Sequence, residues 1–209
     1  MSKTPCACGL RPPKSLAIRS RSPSVGVWFL PRQATAMDDA ISAFSAKARQ
    51  YCAFVEDTRA TNSWIFAQAC LTEALGLYHL ALRLPEVAPA RGDLLEGINH
   101  EDWTVVRENL ARRISRDLYW MVFEPLVSEP PEPVVGSLTD DLADIWRDLK
   151  PGVEAIGSGT TDSIRDVVWH WRSSFESHWG NHAVSAIGAL HALCFGAFAD
   201  TSRPPLTIE

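Results

Sequence analysis

No apolar run in this chain approaches the ~20 residues that cross a bilayer, and charges interrupt its longest helical stretches, so no membrane role is expected. The five cysteines are odd in number and contain no CxxC, which removes the usual signals of a disulfide framework and of a thiolate zinc site. There is no GxSxG and no cysteine placed for activation by a histidine, so hydrolytic triads are not indicated. No glycine loop able to cradle a phosphate occurs; Gly157-Ser158-Gly159 is too bare to count as one. No segment alternates convincingly as a strand, and no internal repeat is evident.

Acid is missing from residues 1–36, which hold six bases. The rest of the chain carries 14 bases against 25 acids, a net −11 that makes sequence-independent nucleic-acid binding improbable, because such binding relies on Lys and Arg neutralising phosphates. The basic segment is rich in Pro, Ser and Arg and lacks periodicity. As a leader peptide its apolar run, Val25 to Leu30, is short and is closed by Pro31, although Ala34-Thr35-Ala36 would supply a cleavage site. The favoured expectation is a start at Met37, where helical patterning begins, with a disordered basic tail as the alternative.

What is present is helical. With 46% hydrophobic residues and eight tryptophans, the chain can bury a core rich in indoles that need partners for their N–H groups. An apolar stripe through Ile41, Phe44, Ala48, Tyr51, Cys52 and Val55 predicts a first helix over 38–57. Asn62 or Ser63 caps a second, which runs to Leu84, is apolar on two faces and is expected to be central. A loop over 86–100 precedes a third helix over 101–123. Four prolines make 124–136 an extended connector. Ser137-Leu138-Thr139-Asp140 has capping-box spacing and opens a fourth helix ending at Pro151-Gly152. Thr161 or Asp162 opens a long last helix to about Phe198, kinked at Gly180. The expected fold is all-α: a single-domain bundle of five or six helices with a long C-terminal helix, covering 37–199, followed by a disordered tail over 200–209. Cys52, Cys70 and Cys194 fall within helices as small buried hydrophobes, which fits a reducing cytoplasm.

Two blocks stand out. Gly136 to Lys150 holds four aspartates in nine residues; Trp169 to Ala183 holds three histidines and three tryptophans in fourteen. On a helical wheel Asp140, Asp144 and Asp148 follow one another at i, i+4 beside Asp141, largely opposite the leucine stripe. Such stacking costs on the order of 0.2–0.5 kcal/mol per pair, which a metal or a basic partner surface would relieve; a solvated face is the plainer reading. His178 and His182 fall inside the apolar stripe of the last helix, with metal-pair spacing. Trp179, however, stands where the HExxH zinc proteases carry glutamate, so that mechanism lacks its base. The plainer reading is a core pair satisfied by hydrogen bonds, with Asp117 as the candidate partner and Trp179 beside them, either as a filled network or lining a pocket.

These blocks, with YCAFVED (Tyr51 to Asp57) and LYHLALRLP (Leu77 to Pro85), resemble the bacterial domain of unknown function 5063 family over Met37 to Leu193. The resemblance implies a cytoplasmic bacterial protein of about this length and no particular activity. The leading expectation is a non-enzymatic adaptor that meets a basic protein surface through Asp140, Asp141, Asp144 and Asp148, without a cofactor. The rival is a metal-dependent helical-bundle enzyme, hydrolase-like, with Asp140, Asp144, His178 and His182 as ligands. Against the rival, the wheel turns the acids outward and the histidines inward.

Overall fold

The computed structural model describes residues 30–91, 95–123, 125–126, 130–196 and 202. The calls on residues 1–29, and on the C-terminal tail apart from Ser202, lie outside the described residues. Helix α1 spans Leu30–Glu56, α2 Ser63–Ala81, α3 His100–Ala111, α4 Leu138–Ala155, α5 Thr161–Ser174 and α6 Gly180–Phe195. One π-helical turn, Phe175–Trp179, joins α5 and α6 into a continuous rod. The fold is all-α apart from a small antiparallel pair, β1 (Leu118–Met121) and β2 (Val134–Ser137), in which Leu118 faces Ser137 and Met121 faces Val134.

Four boundaries differ from expectation, the second helix ending at Ala81 rather than at Leu84. The first helix begins at Leu30, ahead of Met37. The third ends at Ala111 rather than running to 123, because Arg113 turns back at its C-terminus: its guanidinium donates to Val55 O and Asn109 O and lies 4.1 Å over Phe66. The freed residues 118–121 pair with the end of the proline connector. The fourth helix passes through Pro151-Gly152. There the indole of Trp171 packs on Gly152, and α5 bonds the carbonyls before the proline, Trp171 Nε1 donating to Leu149 O at 3.1 Å and His170 Nε2 lying 3.1 Å from Asp148 O.

The central helix is α4, which packs against α1, α3, α5 and α6, and not α2, which lies against α1 and α6 and leaves Ile65, Leu75 and Leu82 exposed. The core centres on Phe44, Tyr51, Leu142, Trp171 and Trp179, with Phe44 and Trp171 edge to face at 5.1 Å. Several of its indoles are partnered, Trp64 with Cys194 O, Trp146 with Glu56 and Trp179 with Trp171 O, whereas the buried Trp103 Nε1 has no hydrogen-bond partner among the described residues. Ser202 hydrogen-bonds at the start of α2, accepting from the Trp64 amide. Among the described residues, no helix is long and apolar enough to cross a membrane.

Candidate metal centre

The site depends on the phase of two helices. The phase of α4 is set at its first turn. Ser137 Oγ accepts from Asp140 N at 3.2 Å, and Asp117 Oδ1 accepts from Thr139 N at 2.8 Å and from the Ser137 hydroxyl. This is the true position of Asp117: it caps α4 at the hairpin and does not meet the histidines. So anchored, α4 sends Asp140 outward to an ion pair with Arg107 and turns Asp141, Asp144 and Asp148 along one stripe toward the C-terminal rod.

The phase of α6 is set by the π turn. An i→i+5 turn inserts one residue and rotates everything after it by roughly 100°. The buried series Val168, Trp171 and Phe175 is therefore continued by Trp179, Ala183, Ala186 and Leu190. His178 and His182, which uniform helical spacing puts in the core, move to its edge against α4, with side chains 41% and 28% exposed. Trp179 goes the other way, fully buried behind them, and forms no part of the polar network. Gly180 permits the turn, since a Cβ there would strike the carbonyl of Phe175.

Aspartates and histidines thus converge. The sequence expectation of an acidic surface separate from an inward histidine pair is overturned: Asp141 is buried, and the Asp144 and Asp148 side chains are only 14% and 17% exposed. His182 Nδ1 lies 2.7 Å from Asp141 Oδ1, and His178 Nδ1 lies 2.8 Å from Asp148 Oδ2. Ionised carboxylates only accept, so each Nδ1 carries the proton and each neutral ring keeps its lone pair on Nε2. His182 Nε2 faces Asp144 Oδ2 at 3.6 Å. One ring nitrogen of each histidine and one oxygen of Asp144 lie within 4.8 Å of one another.

The carboxylates dominate the electrostatics around His182. The Asp141 hydrogen bond chiefly, with Asp144 and Asp148 adding to it, raises the pKa of His182 against the opposing effect of burial. Asp144 Oδ1 is buried and accepts no well-directed hydrogen bond, although the Arg147 guanidinium is 2.8 Å away. Tyr119, from β1, donates to Asp141 Oδ2; burial first, and then that carboxylate, push its hydroxyl pKa well up. A cleft of about 520 Å³ opens over the cluster, walled by Met121, Phe123 and Val135 on the hairpin side and by Ser177, Asn181 and Ser185 on the rod. Sequence reasoning missed Tyr119, Asn181 and Ser185. Tyr119 lies in a segment that reads as helix, and the other two come into line only through the π turn.

Residues 35–196 match the model of the family described as domain of unknown function (DUF5063). Among solved structures, the chain is similar to protein BF1032 from Bacteroides fragilis, with a TM-score of 0.67 and 25% identity over 78% of this chain and 97% of that one. No curated protein matches.

Proposed function

The chain belongs to the DUF5063 family, and from the geometry of its histidine–aspartate cluster we propose that it is a metal-dependent enzyme, hydrolytic in type. The reading is carried by one observation: two histidines, each oriented by its own carboxylate through Nδ1, gather beside a third carboxylate under a substrate-sized cleft.

Asp144, His178 and His182 would hold a divalent first-row ion, for which two imidazoles and one carboxylate are a suitable donor set. Ligands at about 2.0–2.2 Å around a tetrahedral ion lie roughly 3.3–3.5 Å apart; the 3.6 Å between His182 Nε2 and Asp144 Oδ2 is close to that, yet long for a direct hydrogen bond. Asp141 and Asp148 supply the outer carboxylates that fix the tautomer of a ligating histidine and raise its basicity. Three protein ligands leave a position for water or substrate, and a bound ion would supply Lewis acidity there. Asp140 is not among the ligands, being engaged with Arg107.

The adaptor reading has less support, because each acid of the stripe is already held by a group of the same chain. Buried free thiols at Cys52, Cys70 and Cys194 fit a reducing cytoplasm. Metal analysis of protein purified without added metal tests the proposal. It predicts stoichiometric Zn, Fe or Mn that is lost in the double variant Asp144→Ala/His182→Ala. A metal-free protein that refuses zinc in titration would contradict it.

A further inference from the structure

Of the three aspartates that face the histidines, Asp141 is the most enclosed, with 5% of its surface exposed. A buried carboxylate must find its donors within the chain, and a single hydrogen bond leaves it free to turn about its broad terminal torsion. Asp141 has a donor on each oxygen. His182 Nδ1 lies 2.7 Å from Oδ1, and the hydroxyl of Tyr119 donates to Oδ2. Asp148 is held more loosely: it is 17% exposed and, among the described residues, its carboxylate is bonded by His178 alone.

The tyrosine is itself held from three sides. Ser185, three residues on from His182 in α6, hydrogen-bonds the same hydroxyl. Met121 Sδ lies 3.6 Å from it, but a thioether is a weak acceptor beside a carboxylate, so the single phenolic proton goes to Asp141. Across the hairpin the partner of Tyr119 is Gly136. A Cβ there would lie 2.7 Å from the ring's Cζ and 2.9 Å from its hydroxyl oxygen, so only a bare strand lets the ring reach the carboxylate. Tyr119 thus ties β1 to α4 and to α6 at the level of the histidines.

We infer that Tyr119 is a positioning residue of the metal centre: by clamping Asp141 it fixes the ring of His182, with Nε2 turned toward Asp144. This inference rests on the metal reading above and gives the hairpin a part in that centre. Neither Tyr119 nor Gly136 supplies a ligand; both act through Asp141.

Two variants of the full chain test it. Tyr119→Phe removes the hydroxyl and keeps the ring, while Gly136→Ala keeps the hydroxyl and pushes it off the carboxylate. Each is expected to weaken zinc binding about tenfold in a competition titration, the low end for a partner standing behind a ligand. The visible spectrum of the cobalt(II)-loaded protein, which reports ligand geometry, should change in both. Because the two variants break one contact, combining them should cost little more than the larger single loss. Should Gly136→Ala fail to fold, Tyr119→Phe alone decides.

If zinc affinity and the cobalt spectrum match those of the unaltered chain while thermal unfolding comes earlier, Tyr119 only fastens the hairpin. The inference is then overturned and the metal reading stands. If the unaltered chain binds neither zinc nor cobalt, both fall.

Discussion

The rings of His178 and His182 stand 4.7 Å apart, centroid to centroid, crossed at 71°, and each donates an Nδ1–H hydrogen bond to a different aspartate of α4. Two imidazoles at a helical i, i+4 spacing meet two carboxylates at i, i+7 on the facing helix, with Asp144 between them.

If this pairing orients ligands, then Asp141→Asn and Asp148→Asn, which keep shape but remove charge, should each weaken zinc binding by about 10- to 100-fold. A competition titration against a chromophoric chelator measures this. Unchanged affinity in both would mean that the two carboxylates serve packing alone.

The π turn links fold to site through one residue. Gly180→Ala forces a Cβ onto the Phe175 carbonyl, a backbone atom that cannot swing aside. Thermal unfolding should show a loss of about 1–3 kcal/mol, with weakened zinc binding as the histidines rotate out of place. Gly188→Ala, in the same rod with open space around it, should instead gain about 0.5–1 kcal/mol from helix propensity.

The contrast between those glycines also explains what could be read in advance. The starts of α2 and α4 were legible because capping is local: Asn62 and Ser137 accept amide protons from residues two or three positions ahead. The aspartate stripe was legible as an anomaly, since the sequence stacks like charges at i, i+4 twice. Its burial was not legible, because that depends on α6 and the hairpin arriving from elsewhere in the chain. A uniform 100° wheel sends His178 and His182 inward and Trp179 aside. One inserted residue at the π turn reverses this, and the turn's rings pack on other helices, Trp179 against Phe44 and Phe175 against Tyr78, which no local pattern reveals. The hairpin was hidden likewise: residues 118–121 carry helical apolar spacing, and only the bonds of Arg113 to the end of α1 end α3 early enough to free them.

Asp117 separates structural from metal-centre roles. As the cap that accepts from the Thr139 amide, its replacement by alanine should cost about 1–2 kcal/mol in denaturant unfolding while zinc stoichiometry is retained. Loss of zinc with stability intact would place Asp117 in the centre after all.

The buried thiols should be inert. Burial first, then the Glu56 carboxylate, pushes Cys52 up to about 12, and burial pushes Cys70 higher still. The thiolate is the reactive form, and at pH 8 it is scarce at both positions. Peptide mapping after iodoacetamide treatment should find Cys52 and Cys70 unlabelled in native protein and fully labelled in denaturant. Rapid labelling of either in the native state would mean that the core around α1 and α2 opens readily.

The most direct measurement is an anomalous difference map at the zinc edge from crystals of zinc-loaded protein. The account predicts one strong peak at about 2.0–2.2 Å from Asp144 and from a ring nitrogen of each of His178 and His182, with Asp141 and Asp148 still bonded to the opposite ring nitrogens. No peak there, or zinc bound elsewhere while His182 keeps its bond to Asp141, would contradict it.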